Sequence, residues 1–325
     1  MKDLELIKFV VSKNKLEWAW PTRFTSGVIN RVYDLGSHVI KIEGSDLTDY
    51  AKDVLKPQAA LMERVRALDA KIPKVIDSGE FEGSPYILME KAKGRELVYD
   101  WLNFNLKQKE NFIAQICEQL QIFHSVKNDF YSIAIYQNKN FENLKGATIN
   151  LTDFTEIDKA KLKKEYAEDI EYLEGFLTEN IEVLNEQNTA VLTHNDIHLE
   201  NVFYKDNKVT AIIDFDWVSW APKDYELRKI VDVFYYPKNY MAERLGQRYE
   251  GYRMTEEFKF LKKYYPGLFG IDNLLTRVRL YNLENVIYKT VDYQKGKWSE
   301  NVMIELHQQI KDFYQGGWLS EVLLR

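Results

Sequence analysis

The sequence predicts an α+β protein with two lobes, a small β-rich lobe over residues 1–92 and a larger, mostly helical lobe over residues 93–325. Three observations lead to this fold class. Short β-prone runs surround a helical pattern before residue 90, and long helical periods dominate after Gly94. A segment of short apolar runs and polar loops, from Val191 to Asp216, interrupts the helical pattern. The chain of 325 residues is long enough for one fold with two lobes.

The elements of the N-terminal lobe follow from periodicity and turn residues. The opening segment LELIKFVVSKN has a helical pattern, and QAALMERVRAL predicts a second helix with Pro57 in its first turn. The β-prone runs RVYDL and HVIKIE are separated by Gly36 and Ser37, a pairing that suits a tight hairpin. The stretch IPKVIDSGEFEGSPYILMEKAKG predicts two strands joined by a glycine-containing turn. A small sheet accompanied by helices is therefore expected.

The C-terminal lobe is predicted to consist mainly of helices. Helical periods run from Leu106 to His124, from Lys159 to Glu186, and again towards the C-terminus. The interrupting segment holds the apolar runs AVL and NVFY, then a hairpin through Lys205-Asp206-Asn207 and the apolar strand VTAIID. Polar residues at the ends of these short strands indicate that this segment contains the functional site.

The composition indicates a protein with a large core, because 45% of the residues are apolar and 14% are aromatic. The net charge of −6 and the lack of a long basic run argue against a nucleic-acid partner. The opening lacks the plan of a signal peptide, and no uncharged apolar stretch is long enough to cross a bilayer. We therefore expect a cytoplasmic protein without a membrane partner. The sequence does not predict its oligomeric state. The single cysteine, Cys117, is expected to be buried.

Three polar residues in this segment carry the strongest chemical signal. Asp196 lies on a loop after AVL, Asn201 begins the next run, and Asp214 ends the strand VTAIID. Because all three are expected at the ends of adjacent short strands, they can converge on one point. Carboxylate and amide oxygens suit Mg²⁺, which usually binds through one or two carboxylates plus substrate phosphates. The remaining carboxylate can accept a proton from an attacking hydroxyl.

The order of these residues resembles the motif of the aminoglycoside phosphotransferase and choline kinase superfamily. That motif, H-x-D-x-x-x-x-N followed by an apolar strand and Asp, stands here as HNDIHLEN from His194 to Asn201 and as IIDFD from Ile212 to Asp216. The later segment PKDYEL also resembles the superfamily. The resemblance implies a bilobal protein-kinase-like fold and a small-molecule kinase. The missing Arg after His194, Asp216 in place of the glycine of D-F-G, and the missing A-P-E segment argue against a protein kinase.

The resemblance also implies residue roles. Asp196 would be the catalytic base or would orient the acceptor hydroxyl, and His194 would brace the same catalytic loop. Asn201 and Asp214 would hold Mg²⁺ on the phosphates of ATP or GTP. Lys41 resembles the strand lysine that reaches those phosphates, and an unpaired ammonium inside an apolar strand would be costly. The alternative for Lys41 is an outward lysine on a two-sided strand.

The remaining nucleotide contacts are expected in two segments of the lobe 1–92. Ser26 and Gly27 fall in TSGVINRVY, where a phosphate-covering hairpin should lie, although an ordinary turn is the alternative. The segment YILMEKAKG resembles the strand and hinge that join the lobes. It would place the Glu90 carbonyl and the Ala92 amide against the nucleobase, with Met89 at the back of the pocket. Met89 as a plain core residue is the alternative.

One element departs from the superfamily pattern. A helix-borne glutamate should pair with Lys41, but Glu63 points away from the apolar face of its helix, which is predicted to consist of Leu61, Val65 and Leu68. Gln58 lies near that face and occupies roughly the position of the glutamate. The partner of Lys41 is therefore left open.

The expected reaction is transfer of the γ-phosphate to a hydroxyl of an aminoglycoside-like or other aminated compound. The stretch from Glu165 to Glu186 contains eight acidic residues and no Lys or Arg, so it could attract a polyamine, although a solvated helix face is the alternative. Choline, homoserine or a sugar are alternative acceptors within the class. A catalytically impaired pseudokinase or nucleotide-binding regulatory module is the alternative from another class.

Overall fold

Residues 2–24, 30–44, 55–126, 154–186 and 190–324 are described by the structure, a computed structural model. The α-helices are α1 Lys2–Lys13, α2 Leu55–Arg66, α3 Leu106–Ser125, α4 Lys164–Asn180, α5 Glu226–Tyr235, α6 Glu243–Gly246, α7 Thr255–Tyr264, α8 Leu274–Gln294, α9 Glu300–Tyr314 and α10 Trp318–Leu324. The strands are β1 Thr22–Arg23, β2 Arg31–Asp34, β3 His38–Ile42, β4 Val75–Phe81, β5 Ser84–Glu90, β6 Arg95–Glu96, β7 Ala190–Thr193, β8 Val202–Lys205, β9 Lys208–Ile212 and β10 Ser219–Pro222. Short 3₁₀ helices connect several of these elements, at Leu97–Tyr99, Trp101–Asn103, Lys159–Lys161, Ile181–Glu186, Lys223–Tyr225, Pro237–Tyr240, Gln247–Tyr249 and Pro266–Leu268.

The N-terminal region is an antiparallel sheet with the strand order β1-β2-β3-β5-β4 in the described part of the chain. Both predicted hairpins are confirmed. Gly36 turns the β2–β3 connection with φ +83°, and Gly83 turns the β4–β5 connection with φ +76°, a region that glycine enters without strain. The hydrophobic stripe of α1 packs on one face of the sheet, where Leu6 and Val10 meet Ile40 and other strand residues.

The helix α2 covers the sheet from the side of Ile87. Its first turn contains Pro57, as predicted, because proline lacks only an N–H that has no helical partner there. Its buried residues are Leu55, Gln58, Ala59, Leu61, Met62 and Val65. The prediction that Leu68 belongs to this face is wrong. The helix ends at Arg66, the chain turns through Asp69 in a left-handed conformation with φ +64°, and Leu68 is 45% exposed.

The C-terminal region is mainly helical and shares one large apolar core. The helix α3 begins with a capping box, in which the Asn105 side chain accepts from the Gln108 N–H and the Gln108 side chain accepts from the Asn105 N–H. Within α3, Cys117 is fully buried, as expected, and burial raises the pKa of its thiol to about 12. In the described residues no helix combines the length and the hydrophobicity that crossing a membrane requires.

The predicted helix from Lys159 to Glu186 is broken into pieces. Only α4 is α-helical, and 3₁₀ turns precede and follow it. The Asp158 side chain caps the first turn by accepting from the Ala160 N–H at 3.2 Å, and Leu162 and Lys163 are then extended with ψ 155° and 152°. These extended residues separate the turn from α4, which packs on α8 and α9.

The strands of the polar segment form two small sheets instead of one. β8 and β9 form the predicted hairpin and pair with β6, whereas β7 pairs with β10, the strand that follows the segment. The expectation that the strands beside Asp196, Asn201 and Asp214 are all adjacent is therefore wrong for β7. Because β7 pairs with β10, the two ends of the chain between these strands lie side by side. Asp196, Asn201 and Asp214, which all belong to this stretch, therefore still come together.

The two regions are joined where the chain leaves β5. Gly94 has φ +95°, and a Cβ atom on this residue would lie 2.0 Å from the carbonyl oxygen of Tyr204. The next residue, Arg95, pairs with Tyr204 in the β6–β8 ladder. Only glycine allows the two backbones to approach this closely in that conformation. The connection is thus fixed by direct backbone contact.

Candidate active site

The loop from His194 to Asn201, called here the catalytic loop, is held by its backbone. The buried Glu226 carboxylate accepts from the N–H of His194 at 2.7 Å and from the N–H of Asn195 at 3.0 Å. Burial opposes its ionisation, yet the His124 hydrogen bond and these contacts hold the pKa of Glu226 below its usual range. Glu226 begins α5, so this helix fixes the start of the loop.

The segment just before α5 is itself anchored in the core. Arg277 of α8 donates to Asp224 through Nε at 2.6 Å and through Nη2 at 3.3 Å, and both side chains are fully buried. Arg277 also donates to the Val183 carbonyl at 2.9 Å. Two-point pairing fixes direction as well as distance. The position of Glu226 therefore derives from a core ion pair two residues earlier.

The first two residues of the loop, His194 and Asn195, contact neighbouring protein groups that hold the loop in place. Asn195 has φ +61°, and its Nδ2 donates to Thr193 Oγ1, Ser219 Oγ and the Trp217 carbonyl at 2.9, 2.6 and 3.1 Å. The ring of His194 is fully buried, with the Phe123 and Phe215 rings 5.5 and 5.4 Å from it. Burial lowers the pKa of His194, so the ring is neutral at physiological pH.

Asp196 lies at the centre of a set of polar contacts. The Asn201 Nδ2 donates to both the carbonyl oxygen and Oδ2 of Asp196 at 2.9 Å. The Lys229 ammonium is 2.8 Å from Oδ1, and His198 Nε2 is 3.5 Å from Oδ2. Burial opposes ionisation, but His198 and Lys229 outweigh it and hold the pKa of Asp196 well below its usual range. The carboxylate is therefore ionised near neutral pH.

Asp214 follows β9 and is bound to the same loop through the backbone. The N–H of Ile213 donates to the carbonyl of Asn201 at 2.9 Å, which brings Asp214 beside Asn201. Asp214 itself has φ +66°. Desolvation by the surrounding protein and the negative charge of Asp216 raise the pKa of Asp214 to about 6. A cation at this position would oppose that shift.

Lys41 of β3 reaches this cluster from the N-terminal sheet. It is 6% exposed, its ammonium forms a short ion pair with Asp216 Oδ1, and it lies 3.6 Å from Asp214 Oδ1. Burial alone would lower the pKa of Lys41, but these two carboxylates raise it. The pairing that the sequence left open is thus made by two aspartates after β9 and not by the helix α2.

The expected nucleobase residues lie at the end of β5, the strand next to β3. Met89 is opposite Val39 in the ladder and is partly buried against the core under α2. The N–H of Glu90 donates to the Lys74 carbonyl at 2.8 Å, and Ala92 follows in a partly buried position. The remaining expected contacts, Ser26 and Gly27, lie outside the described residues.

The donor set near Asp214 fits a magnesium ion that is shared with phosphates. No group of three or more His, Cys, Asp or Glu within the described ranges could hold a metal by itself. Because Asn201 uses Nδ2 to donate to Asp196, its Oδ1 is the atom available for a cation. One carboxylate and one amide oxygen suit Mg²⁺, which keeps several ligands from water or phosphate.

Sequence reasoning missed several residues that contact this site. Glu226 lies in PKDYEL, which resembles the superfamily, but the sequence gives no role for the carboxylate of Glu226. Lys229 stands one helical turn after Glu226, and this spacing could have placed both on the side of α5 that faces the loop. His198 and Asp216 are inside the motif. His198 contacts Asp196 within the same loop, whereas the partner of Asp216, Lys41, is 175 positions away in sequence.

The chain resembles known proteins in fold more than in sequence. No curated protein matches the chain in sequence. Among solved structures, aminoglycoside phosphotransferase APH(4)-Ia superposes with a TM-score of 0.65 and 15% identity, covering 97% of this chain and 99% of that one. A thermostable mutant of that protein, in a ternary complex with ADP and hygromycin B, gives 0.63 and 14%, covering 95% and 98%. The streptomycin–ATP–APH(2")-IIa complex gives 0.60 and 18%, covering 99% and 98%.

These structural likenesses confirm the predicted bilobal protein-kinase-like fold. The family profile described as APH, the phosphotransferase enzyme family, matches residues 20–261, which is most of the chain and includes the whole catalytic loop. The prediction of a phosphotransferase of this superfamily is therefore confirmed. The chain belongs to the APH phosphotransferase enzyme family.

Proposed function

We propose that this phosphotransferase moves the γ-phosphate of ATP or GTP to a hydroxyl group of a small molecule. One observation carries the proposal. Lys41, the loop that carries Asp196 and Asn201, and Asp214 are three separate segments of the chain, and contacts through Asp216 and the Asn201 backbone join them into one cluster. Such a set supplies a cation for phosphates, oxygens for a metal and a carboxylate for the acceptor.

The nucleotide half of the proposed site consists of Lys41, Asn201 and Asp214, with Met89, Glu90 and Ala92 beside the base. The Lys41 ammonium would bind phosphate oxygens from the sheet side. Asn201 Oδ1 and the Asp214 carboxylate would hold Mg²⁺, which supplies positive charge that offsets the charge of the phosphates. The similar structures with ADP and with ATP support a nucleotide co-substrate.

The acceptor half of the proposed site is centred on Asp196. Its carboxylate would accept the proton of the attacking hydroxyl or orient that hydroxyl for in-line attack. Lys229 and His198 keep the carboxylate ionised, so it can accept a hydrogen bond from the hydroxyl, and Asn201 fixes the carboxylate by a hydrogen bond. His194 would brace the loop from within the core, as its buried neutral ring suggests.

The proposed acceptor is an aminated hydroxyl compound of the aminoglycoside kind. The similar structures contain hygromycin B and streptomycin, which supports this class. In the acidic stretch, three carboxylates are paired, Glu168 with Lys164, Asp169 with His307 and Glu174 with Lys159. Glu165, Glu171 and Glu179 are exposed. Choline, homoserine and sugars stay in the panel to be tested. The pseudokinase alternative rested on a missing partner for Lys41, and the contacts of Lys41 with Asp216 and Asp214 remove that support.

The experiment is nucleoside diphosphate release with Mg²⁺ and ATP or GTP across aminoglycosides, choline, homoserine and amino sugars. We expect acceptor-dependent release that Asp196→Asn lowers by about 10²- to 10⁴-fold, the usual contribution of a general base. Asp206→Asn, at the exposed tip of the β8–β9 hairpin, is the matched control and should not change the rate. Nucleotide binding without release for any acceptor would favour the pseudokinase. Release that survives in Asp196→Asn would refute the assignment of the base.

A further inference from the structure

Asp216 is the meeting point of three side chains from the N-terminal region. The Asn30 Nδ2 donates to Oδ1 at 3.2 Å and to Oδ2 at 3.1 Å, and the Gln58 Nε2 donates to Oδ1 at 3.0 Å. The Lys41 ammonium makes its short contact with the same Oδ1. All four side chains are buried, with exposures between 1% and 6%. Both oxygens of this buried carboxylate therefore accept from nitrogen donors, and the charge of Lys41 lies directly against it.

We propose that Asp216 is the positioning residue that holds Lys41 in place for the nucleotide phosphates, with Gln58 and Asn30 as its anchors. This inference rests on the proposed function, because it assumes that Lys41 binds the nucleotide. A buried ammonium needs a paired carboxylate. The helix α2 offers only the neutral Gln58 near Lys41, since Glu63 is exposed. The negative charge therefore comes from the loop after β9, and the helix contributes a hydrogen bond to it.

Asp214 and Asp216 divide two tasks between them. The side chain of Asp214 is 40% exposed, and in the described residues it accepts only from the Asp216 N–H at 3.3 Å, besides lying 3.6 Å from Lys41. Asp216 is buried, and both of its oxygens already accept from nitrogen donors. Asp214 thus has lone pairs for a metal ion, whereas those of Asp216 are largely occupied. The geometry assigns metal binding to Asp214 and the placement of Lys41 to Asp216.

This arrangement allows the negative charge beside Lys41 to be moved by mutation from position 216 to position 58. Because Gln58 Nε2 and Lys41 Nζ contact the same oxygen, the ends of these two side chains lie next to each other. A glutamate at position 58 would bring a carboxylate within reach of Lys41. Asp216→Asn removes the charge, and Gln58→Glu in the same chain returns it from the helix. The matched control is Gln58→Met with Asp216→Asn, which keeps the length of the side chain without the charge.

The test is calorimetric binding of AMP-PNP and GMP-PNP in the presence of Mg²⁺, followed with whichever analogue the wild type binds. We expect Asp216→Asn to weaken binding by about 10- to 100-fold, the usual effect of losing a supporting partner. Gln58→Glu should restore most of that affinity in the Asp216→Asn background, and Gln58→Met should not. The Mg²⁺ concentration for half-maximal binding should be unchanged in Asp216→Asn. A structural defect would not be repaired by relocating the charge.

Several outcomes would overturn the inference. One is wild-type affinity in Asp216→Asn, and another is equal rescue by Gln58→Met. A third is a higher Mg²⁺ requirement in Asp216→Asn that Gln58→Glu does not reverse, and this result would make Asp216 a metal ligand. If Asp216→Asn does not fold, the single variant Gln58→Met decides. It removes one hydrogen bond and should weaken binding by about 3- to 10-fold, and unchanged binding would reject the role. A wild type that binds neither analogue would instead overturn the proposed function itself.

Discussion

The carboxylate of Glu226 accepts from two consecutive backbone N–H groups, those of His194 and Asn195. Two acceptor oxygens on two donors fix the height and the direction of the chain at the start of the catalytic loop. Asp196 is the next residue, so its carboxylate takes its position from this contact. Positioning of this kind matters because a displacement of about 1 Å can cost about 10²-fold in rate.

We predict that Glu226→Gln lowers kcat by about 10- to 100-fold and changes the KM for nucleotide little. The amide keeps one acceptor oxygen but turns an NH₂ group towards the second backbone N–H, which repels it. Steady-state kinetics with the best acceptor, together with a thermal unfolding curve, measures the effect. The matched control is Glu284→Gln, whose carboxylate pairs with Arg228 away from the loop. Equal loss in both variants, or a change confined to the nucleotide KM, would contradict the prediction.

At the scale of residues, the sequence predicted what is close together along the chain. His194, Asp196 and Asn201 lie within eight positions, and Asp214 follows one hairpin later, so residue type, spacing and the resemblance to the superfamily were enough to predict them. Contacts between distant segments were not predictable in this way. Lys41 and Asp216 are 175 positions apart, and neither has a local pattern that points to the other. The pairing depends on how the sheet packs against the loop after β9.

At the scale of elements, the helix α1 is fastened to the sheet by one carboxylate. Asp77 of β4 accepts from the Asn14 amide at 2.8 Å, the Tyr86 hydroxyl at 3.0 Å and the Lys13 ammonium at 2.9 Å. Burial opposes its ionisation, but these donors outweigh burial and lower the pKa of Asp77. The contact acts at the C-terminal end of α1, where a cation such as Lys13 also suits the helix dipole.

We predict that this contact makes stability depend on pH. Because the pKa of Asp77 is lower in the folded than in the unfolded chain, its contribution is complete above the unfolded pKa of about 3.9 and is lost as the pH falls through the folded value. Asp77→Asn should lower the free energy of unfolding by about 1 kcal/mol at pH 7. The difference from the wild type should shrink below about pH 4. Urea unfolding of the wild type and of Asp77→Asn at pH 7 and below about pH 4 measures this difference in the free energy of unfolding, with Asp206→Asn as the control. A constant difference would count against the prediction.

Elements with a strong local pattern were predicted and those that depend on partners were not. The helix α3, both N-terminal hairpins and the β8–β9 hairpin follow from periodicity and turn residues. The strand β10 was missed because SWAP has no alternation of its own, and it forms by pairing with β7. The end of α2 was misplaced because Leu68 continues the apolar spacing although the helix has already ended at Arg66, just before the left-handed residue Asp69.

At the scale of the whole molecule, the two regions share an apolar cluster under α2 and several polar and backbone contacts. The Ile212 N–H donates to the Lys71 carbonyl at 2.7 Å, Asp216 binds Lys41, and Gly94 lies against Tyr204. The first two contacts join the β9 end to the N-terminal region, and the third fixes the connecting chain. The bilobal plan was predictable from the change of pattern at Gly94, whereas these joining contacts depend on the assembled fold.

We predict that Gly94→Ala destabilises the protein far more than Gly83→Ala. Both residues have positive φ, but a Cβ on Gly94 would meet the Tyr204 backbone, whereas a Cβ on Gly83 has no atom within 4 Å. We expect losses of more than about 2 kcal/mol for Gly94→Ala and about 1 kcal/mol for Gly83→Ala. Urea unfolding of both variants tests this. Equal losses would mean that conformation alone, and not the close backbone contact, requires glycine at position 94.

The burial of Cys117 has a practical consequence for following these regions in solution. Thiol reagents react with the thiolate, and a buried thiol with a pKa of about 12 supplies almost none at neutral pH. Since the chain has no other cysteine, a thiol-reactive dye attaches only to cysteines that are introduced on the surface. Leu68→Cys in the N-terminal region and Ile304→Cys in the C-terminal region replace exposed residues. Dyes at these two positions would report the distance between the regions by energy transfer, with the natural cysteine left in place.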